Sequence, residues 1–338
     1  MLRQRSRHRP LLVTLTIGIT GSALSKLLTG SYEADKAGYE ADITLELNGN
    51  YESQWPEEFV WQRPLGRPRG TVVLLHGCTH FATHYWPPGP KCAACLGLPE
   101  DIQTTQAVLQ AGWAALAISA PGRSGCFFPD AASMIARVIR RFERSADLPQ
   151  LPIGAITVSQ GALPIPALSR LVTLRAAIHE SYPFTSARVP TLFLTMEKDK
   201  ASYFCALEKA AALRASGIRA AADILPARPV TAASLVNLIP GLTLNASSAI
   251  VASLYSAGML PSAAGGALLR SPRNNERRWM SAVRPVMESY GVAGAAGTLE
   301  PIGDSSLYEE VAYVSQTRDS LTLWLLAVWI RLLRSSVC

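Results

Sequence analysis

Between residues 71 and 225 the chain alternates short apolar runs with longer stretches of helical spacing. The runs are TVVLLHG (71–77), WAALAIS (113–119), IGAITV (153–158), RAAIHE (175–180), PTLFLTM (190–196) and RAAADIL (219–225). Each is short and continuously apolar, which predicts a strand buried on both faces. The helical stretches are 99–111 after Pro99, 130–144 with Asp130 as an N-cap, and 201–217 stopped by Gly217. Strands alternating with helices predict a mostly parallel central sheet covered by helices on both faces. Ahead of this region DITLELNGNY (42–51) alternates apolar and polar residues and closes on an Asn-Gly turn signal, with EEFVWQRP (57–64) as its partner strand. Beyond residue 226 the pattern turns helical and Ala-rich, with a polar patch at 270–278. No internal repeat and no long linker interrupts the chain, so a single domain is expected over 31–338.

The first 30 residues stand apart. Arg3, Arg5, Arg7 and Arg9 precede the apolar run LLVTLTIGI (11–19) and then Gly21, Ser22 and Ala23, and no acid occurs before Glu33. That order suits a secretory signal peptide, and its basic, Ser/Thr-containing, acid-free character equally suits an organelle transit peptide. A targeting leader is expected, directed to the secretory pathway or to a plastid or mitochondrion. An uncleaved anchor fits less well, because a span needs about 20 apolar residues and glycines, serines and Lys26 interrupt the run. Near the other end LTLWLLAVWIRLL (321–333) is short for a span and contains Arg331, so it reads as a buried terminal helix.

Hydrophobic residues are 49% of the 338 and charged ones 17%, enough for a large core and against disorder. The net charge of +7 at first suggests a polyanion partner. The leader's four arginines and Lys26 carry most of it, and the body has no basic stripe with interleaved aromatics, so no nucleic-acid partner is expected.

Two runs end in chemistry. TVVLLHG closes on His76-Gly77, and IGAITV leads into Ser159-Gln160-Gly161. A serine between small residues after a buried strand matches a nucleophile elbow, a sharp turn whose usual pattern is Gly-x-Ser-x-Gly. Here Thr157 takes the first small position, and Pro164 and Pro166 fall where the next helix should run, so that helix is expected to be broken or to start late. The plain alternative is a serine in an ordinary strand-end turn. If the elbow holds, the backbone amides of Gln160 and Cys78 are placed as oxyanion donors. Asp199, after PTLFLTM, is placed as the triad acid, or alternatively as a helix N-cap. The triad order Ser, acid, His then demands a later histidine. None exists: the five are His8, His76, His80, His84 and His179. His179, beside Glu180 at a strand end, is the remaining candidate for a displaced base.

A second constellation is HGCTHFATHYWPPGPKCAACLG (76–97). Its weak candidates for soft metal ligands are His80, His84, Cys92 and Cys95. Disulfides among the six cysteines, redox chemistry or simple burial compete with that reading. Asn245-Ala246-Ser247 is a glycosylation sequon, with a helix N-cap at Asn245 as its alternative.

The stretches VVLLHGCTH, the following YWP, KCAACLGLPED, AALAIS with the later Cys126, the Ser159 turn, PTLFLTMEKD and PVTAASLVNLIPGL together resemble a family of α/β-hydrolase-like proteins of plants and algae. The resemblance covers roughly half of the chain. It implies the α/β-hydrolase fold and a serine at Ser159. It also implies a histidine where this chain has Ala233 and a Gly-rich elbow where it has Thr157, Gln160 and Ala162. It assigns the Cys/His segment to the scaffold, so that no metal and no cofactor are implied. The departures gather on catalytic positions, and three functions follow as expectations. One is a serine hydrolase of ester-type substrates with an incomplete triad. Another is a non-catalytic hydrolase-fold protein that binds a small-molecule ligand or partner. The third is a Cys/His metal or redox protein.

Overall fold

Eight strands form one sheet in the order β1-β2-β4-β3-β5-β6-β7-β8. They are β1 (Asn50–Gln54), β2 (Glu57–Gln62), β3 (Thr71–Leu75), β4 (Ala114–Ile118), β5 (Ile153–Val158), β6 (Leu174–Glu180), β7 (Thr191–Met196) and β8 (Ala220–Leu225). The computed structural model describes residues 45–290, apart from 123–124, 149–150, 181–188, 197–199, 226–228, 240–241 and 271–275. β2 pairs antiparallel with both β1 and β4, and every other pairing in this sheet is parallel. Thus β2 alone runs against its neighbours, and β3 and β5 lie side by side at the centre.

The central strands are buried along nearly their whole length, as their unbroken apolar sequence requires. On one face Val73, Leu75, Leu116 and Ile118 pack against α2 (Ala132–Ser145) and α3 (Ile165–Leu171) through Ile135, Val138, Ile139, Phe142 and Leu168. The outer side of α2 carries Arg137 and Arg141, which pair with Glu57 at 2.9 Å and Glu52 at 3.0 Å on the β1–β2 hairpin. Between β3 and β4 runs α1 (Pro99–Gln110), with Pro99 in its first turn and Glu100 and Asp101 beside its N-terminus, where acids suit the helix dipole. α4 (Lys200–Ala215) packs Ala206 and Ala210 on Phe193 of β7. Past β8 come the short strands β9 (Pro229–Val230) and β10 (Gly266–Ala267), with helices α5 (Ala232–Leu238), α6 (Leu244–Ser256) and α7 (Glu276–Ser289). They share a second apolar cluster containing Leu235, Ile250, Leu254, Met259, Trp279 and Val283.

Several local expectations are corrected. Among the described residues the first strand begins at Asn50, not in the 45–49 stretch, and Gly49 is packed rather than turning: a Cβ there would meet Trp86 and Val60 at 2.7 Å. Asp130 sits inside a 3₁₀ turn (Pro129–Ala131) and caps nothing; α2 starts at Ala132 without a side-chain cap. Asn245 lies within α6, and Thr243 is the cap, its hydroxyl accepting from the Ala246 N–H at 3.2 Å. The leader and the 321–333 run lie outside the described residues. Among the described residues no helix is long and apolar enough to cross a membrane.

Beside the turn after β5 the chain comes very close to itself at Gly161. A Cβ there would collide with the Leu75 carbonyl oxygen and come within 2.8 Å of the His76 carbonyl oxygen, both at the end of β3. Backbone atoms cannot swing aside as a side-chain tip can. Gly161→Ala is therefore expected to lower stability by about 2–4 kcal/mol, read as a fall in the thermal unfolding midpoint; an unchanged midpoint would contradict this close approach.

Candidate active site

Ser159 follows β5 directly and opens a 3₁₀ turn (Ser159–Ala162). Its φ is +49°, in the left-handed region, while Val158 just before it is extended at φ −110°. A non-glycine residue held there costs on the order of 1–3 kcal/mol, and such strain gathers at functional positions. The abrupt change of backbone direction throws the serine off the end of the strand, which is the geometry of a nucleophile elbow. α3 begins late, at Ile165, with Pro164 as N-cap and Pro166 in the first turn, where a missing N–H costs nothing.

Parallel register places Leu75 opposite Thr157, so the loop after β3 reaches the elbow. A Cβ on Gly77 would lie 3.6 Å from the Ser159 Cβ. The loop is fixed from its far side. Cys78 is disulfide-bonded to Cys126, and the Thr79 N–H donates to the Gly125 carbonyl at 3.0 Å with Thr79 itself at φ +69°. Among the described residues the Cys78 N–H donates to no backbone carbonyl. The Gln160 N–H belongs to the first turn of a helical segment, where amides have no intrahelical partner. Gln160 directly follows Ser159, and Cys78 follows the glycine that packs on it.

The histidines are engaged elsewhere. His76 is buried, and its Nε2 accepts from the Ala120 N–H at 2.9 Å. Its proton is therefore on Nδ1, which donates to the Gly77 carbonyl at 2.6 Å. Burial holds its pKa near 3, the Gly77 carbonyl opposes that, and His80 adds to it. His179 pairs in register with Thr157. Its Nδ1 lies 2.7 Å from the Thr157 hydroxyl, which is also 3.4 Å from the Ile178 carbonyl. The ring packs on Phe193, and burial lowers its pKa to about 3. Its Nε2 is buried with no hydrogen-bond partner among the described residues, and no hydrogen bond joins Ser159 to His179. Thr157, which crowds the elbow pattern in sequence, is the residue that holds this histidine.

Glu180 ends β6 opposite Val158, one residue from the elbow. Burial, with the nearby carboxyls of Glu100 and Asp101 adding to it, raises its pKa to about 8. It is the acid that the described residues bring nearest the elbow by register. Asp199 lies outside the described residues. Ala233, in the first turn of α5, follows β8 closely, and Thr231 caps that helix.

The Cys/His segment divides in two. Cys92 and Cys95 form a disulfide with each other and offer no thiolate to a metal, which corrects their standing as candidate ligands. His80 and His84 do come together, with Nδ1 atoms 3.3 Å apart, and Asp101 Oδ2 lies 3.8 Å from His80 Nδ1. Nothing in the sequence pattern ties Asp101 to that pair. The end of α1 that carries it is brought there by the fold.

A sheet of eight strands in this order, with only the second reversed and a strained serine after the fifth, defines the α/β-hydrolase fold. No family model matches the chain, and no curated protein matches it. Among solved structures it is similar to a hormone-sensitive lipase from a metagenome library, at 10% identity, covering 60% of this chain and 87% of that one, with a TM-score of 0.37. It is also similar to a dienelactone hydrolase from Anabaena variabilis at 16% identity, covering 53% and 84%, with a TM-score of 0.39. A third is carboxyl esterase 2 from the mycorrhizal fungus Tuber melanosporum, at 12% identity, covering 58% and 86%, with a TM-score of 0.38. The fold assignment rests on the strand order and not on these similarities.

The pKa shifts set a pH dependence. Burial brings His76 and His179 from the ordinary histidine value of 6.5 down to about 3 in the folded chain. The unfolded chain then binds more protons below pH 6.5, so stability present above that value is lost as pH falls toward 3. Glu180 has the opposite sign: raised from 4.5 to about 8, it contributes stability that is lost as pH rises through that range. Stability is expected to fall on the acid side by about 1.4 kcal/mol per pH unit per histidine and to decline again toward pH 8. Chemical denaturation across pH 4–9 checks this. Glu180→Gln should remove the alkaline decline, and a wild-type profile flat from pH 6.5 to 8 would contradict the assignment of that acid.

Proposed function

We propose that this chain is a serine-hydrolase-type protein acting on small ester-type substrates with an incomplete triad. The observation that carries the reading is the left-handed Ser159 at the end of β5, packed against the Gly77 turn. Strain of this kind gathers at functional positions. In this reading Ser159 Oγ attacks the carbonyl carbon of a bound ester, and the amides of Gln160 and Cys78 receive the negative charge that develops on oxygen. Asp199, after β7, takes the position of the triad acid. The position after β8, where the triad histidine belongs, carries Ala233 in a stretch that resembles the plant and algal family.

The serine proton is then the difficulty. His76 and His179 have hydrogen-bond partners in Gly77 and Thr157, and burial keeps both neutral. Without a base the hydroxyl gives its proton to water, and attack is slow. A site that keeps its oxyanion donors but lacks a triad member retains only residual catalysis. Tight binding with slow acylation follows. The second reading, a binding protein that uses the same site with no turnover, is favoured by the burial that keeps both histidines neutral.

The leader is proposed to direct the chain into an oxidising compartment. Two disulfides among the described residues support secretory delivery over a reducing destination.

Labelling with a fluorophosphonate probe separates the two functional readings. Slow labelling that Ser159→Ala abolishes is expected. Ala233→His, which supplies a base at the position after β8, is expected to speed labelling by about tenfold or more. Folded wild-type protein and Ala233→His that both fail to label would sink the hydrolase reading in favour of binding alone.

A further inference from the structure

We propose that His80, His84 and Asp101 form a binding site for one divalent transition-metal ion, with zinc the best match to the donor set. The proposal is independent of the role assigned to Ser159. Two imidazole nitrogens and a carboxylate oxygen, from segments about twenty residues apart in the chain, lie within 4.8 Å of one another. The Nδ1 atoms of His80 and His84 are 3.3 Å apart. Two nitrogens bound to zinc at about 2.05 Å and a tetrahedral angle are separated by about 3.3 Å. The spacing is therefore the edge of a zinc tetrahedron, and it is long for an N–H···N hydrogen bond. Asp101 Oδ2, at 3.8 Å from His80 Nδ1, reaches a third vertex by a small rotation of its carboxylate.

The ligands are held in place by backbone rather than by one another. The Leu98 N–H donates to the His84 carbonyl at 2.8 Å, and the Leu96 N–H donates to the Thr83 carbonyl at 2.9 Å. These two bonds clamp the histidine-bearing turn (Ala82–Tyr85) to the segment that leads into α1 and Asp101. The Cys92–Cys95 disulfide closes the chain between them. A site built this way exists before the ion arrives, which lowers the cost of binding. His84 is fully buried, and its ring meets Phe81 edge-on. The His80 and Asp101 side chains keep 12% and 16% exposure, which gives an ion a path from solvent.

Charge points the same way. Glu100 stands beside Asp101 in the first turn of α1, and a dication offsets the repulsion between neighbouring carboxylates. Two imidazoles and one carboxylate suit zinc better than magnesium or calcium, which prefer all-oxygen shells. Three protein ligands leave the fourth tetrahedral position to water.

Isothermal titration of Zn²⁺ into the chelator-treated full chain tests the site. One ion per chain is expected. Asp101→Asn and His80→Gln, both at the partly exposed edge, are each expected to weaken binding by about tenfold or more, with circular dichroism showing that both variants remain folded. Cobalt(II) in place of zinc is expected to give the visible bands of a four-coordinate ion without thiolate charge transfer, which separates this site from binding at Cys205. The absence of stoichiometric binding by folded wild-type protein would mean a proton, not a metal, bridges the trio. Equal affinity in both variants, or binding abolished by Cys205→Ser, would overturn the assignment as firmly.

Discussion

Everything at the carboxyl edge of the sheet depends on how closely the turn after β5 approaches the end of β3. Gly161 sits against the carbonyls of Leu75 and His76, with no room for a side chain. That contact draws the 3₁₀ turn inward and leaves Ser159 to absorb the change of direction at a positive φ. It also fixes Gly77 beside the serine. The strain at one residue is thus the local cost of a backbone contact two residues later. The hydrogen bonds of His76 to Ala120 and Gly77, and the disulfide from Cys78 to Cys126, hold the other side of the same junction. The turn, the loop and the end of β4 are one fastening.

The polar groups buried beside this fastening bear on where a base for Ser159 could come from. A histidine is a useful base only if one ring nitrogen faces the nucleophile. Here the His179 Nδ1 is taken by the hydroxyl of Thr157, its register partner on the next strand, and its other ring nitrogen is buried without a hydrogen bond among the described residues. The pair works as a buried polar couple within the sheet. Glu180, one position on, takes the opposite side of the strand and meets the acidic start of α1 instead.

Most of the architecture was legible in the sequence because buried parallel strands have an unmistakable apolar signature, and all six predicted runs from TVVLLHG to RAAADIL are strands. Boundaries were less legible where a single local signal had rivals. Asn48-Gly49 reads as a turn, but the bulk of Trp86 claims that glycine for packing. Asp130 and Asn245 are good capping residues, yet Thr243 and a 3₁₀ turn hold the positions where the helices begin. The serine at the elbow was visible from its small neighbours and preceding strand. The partner of Thr157 was not, because it comes from a strand 22 residues away whose register no local pattern fixes. Asp101 escaped for the same reason: as a residue of the first helical turn it already has a sufficient local explanation. Cys92 and Cys95 were ambiguous by chemistry, since the same spacing serves a metal or a disulfide.

The helices beyond β8 gather around an apolar cluster that shares no residue with the one beneath α2 and α3. Side chains that do not touch vary independently, and effects of substitution at well-separated sites add rather than compound. Leu235, Ile250 and Trp279 can therefore drift together, as a block that repacks itself, without disturbing Gly161 or the loop it rests on. In the lineage of such a chain the helical end past the first turn of α5 is the part freer to change its shape, while the junction around Ser159 is held by close backbone contacts.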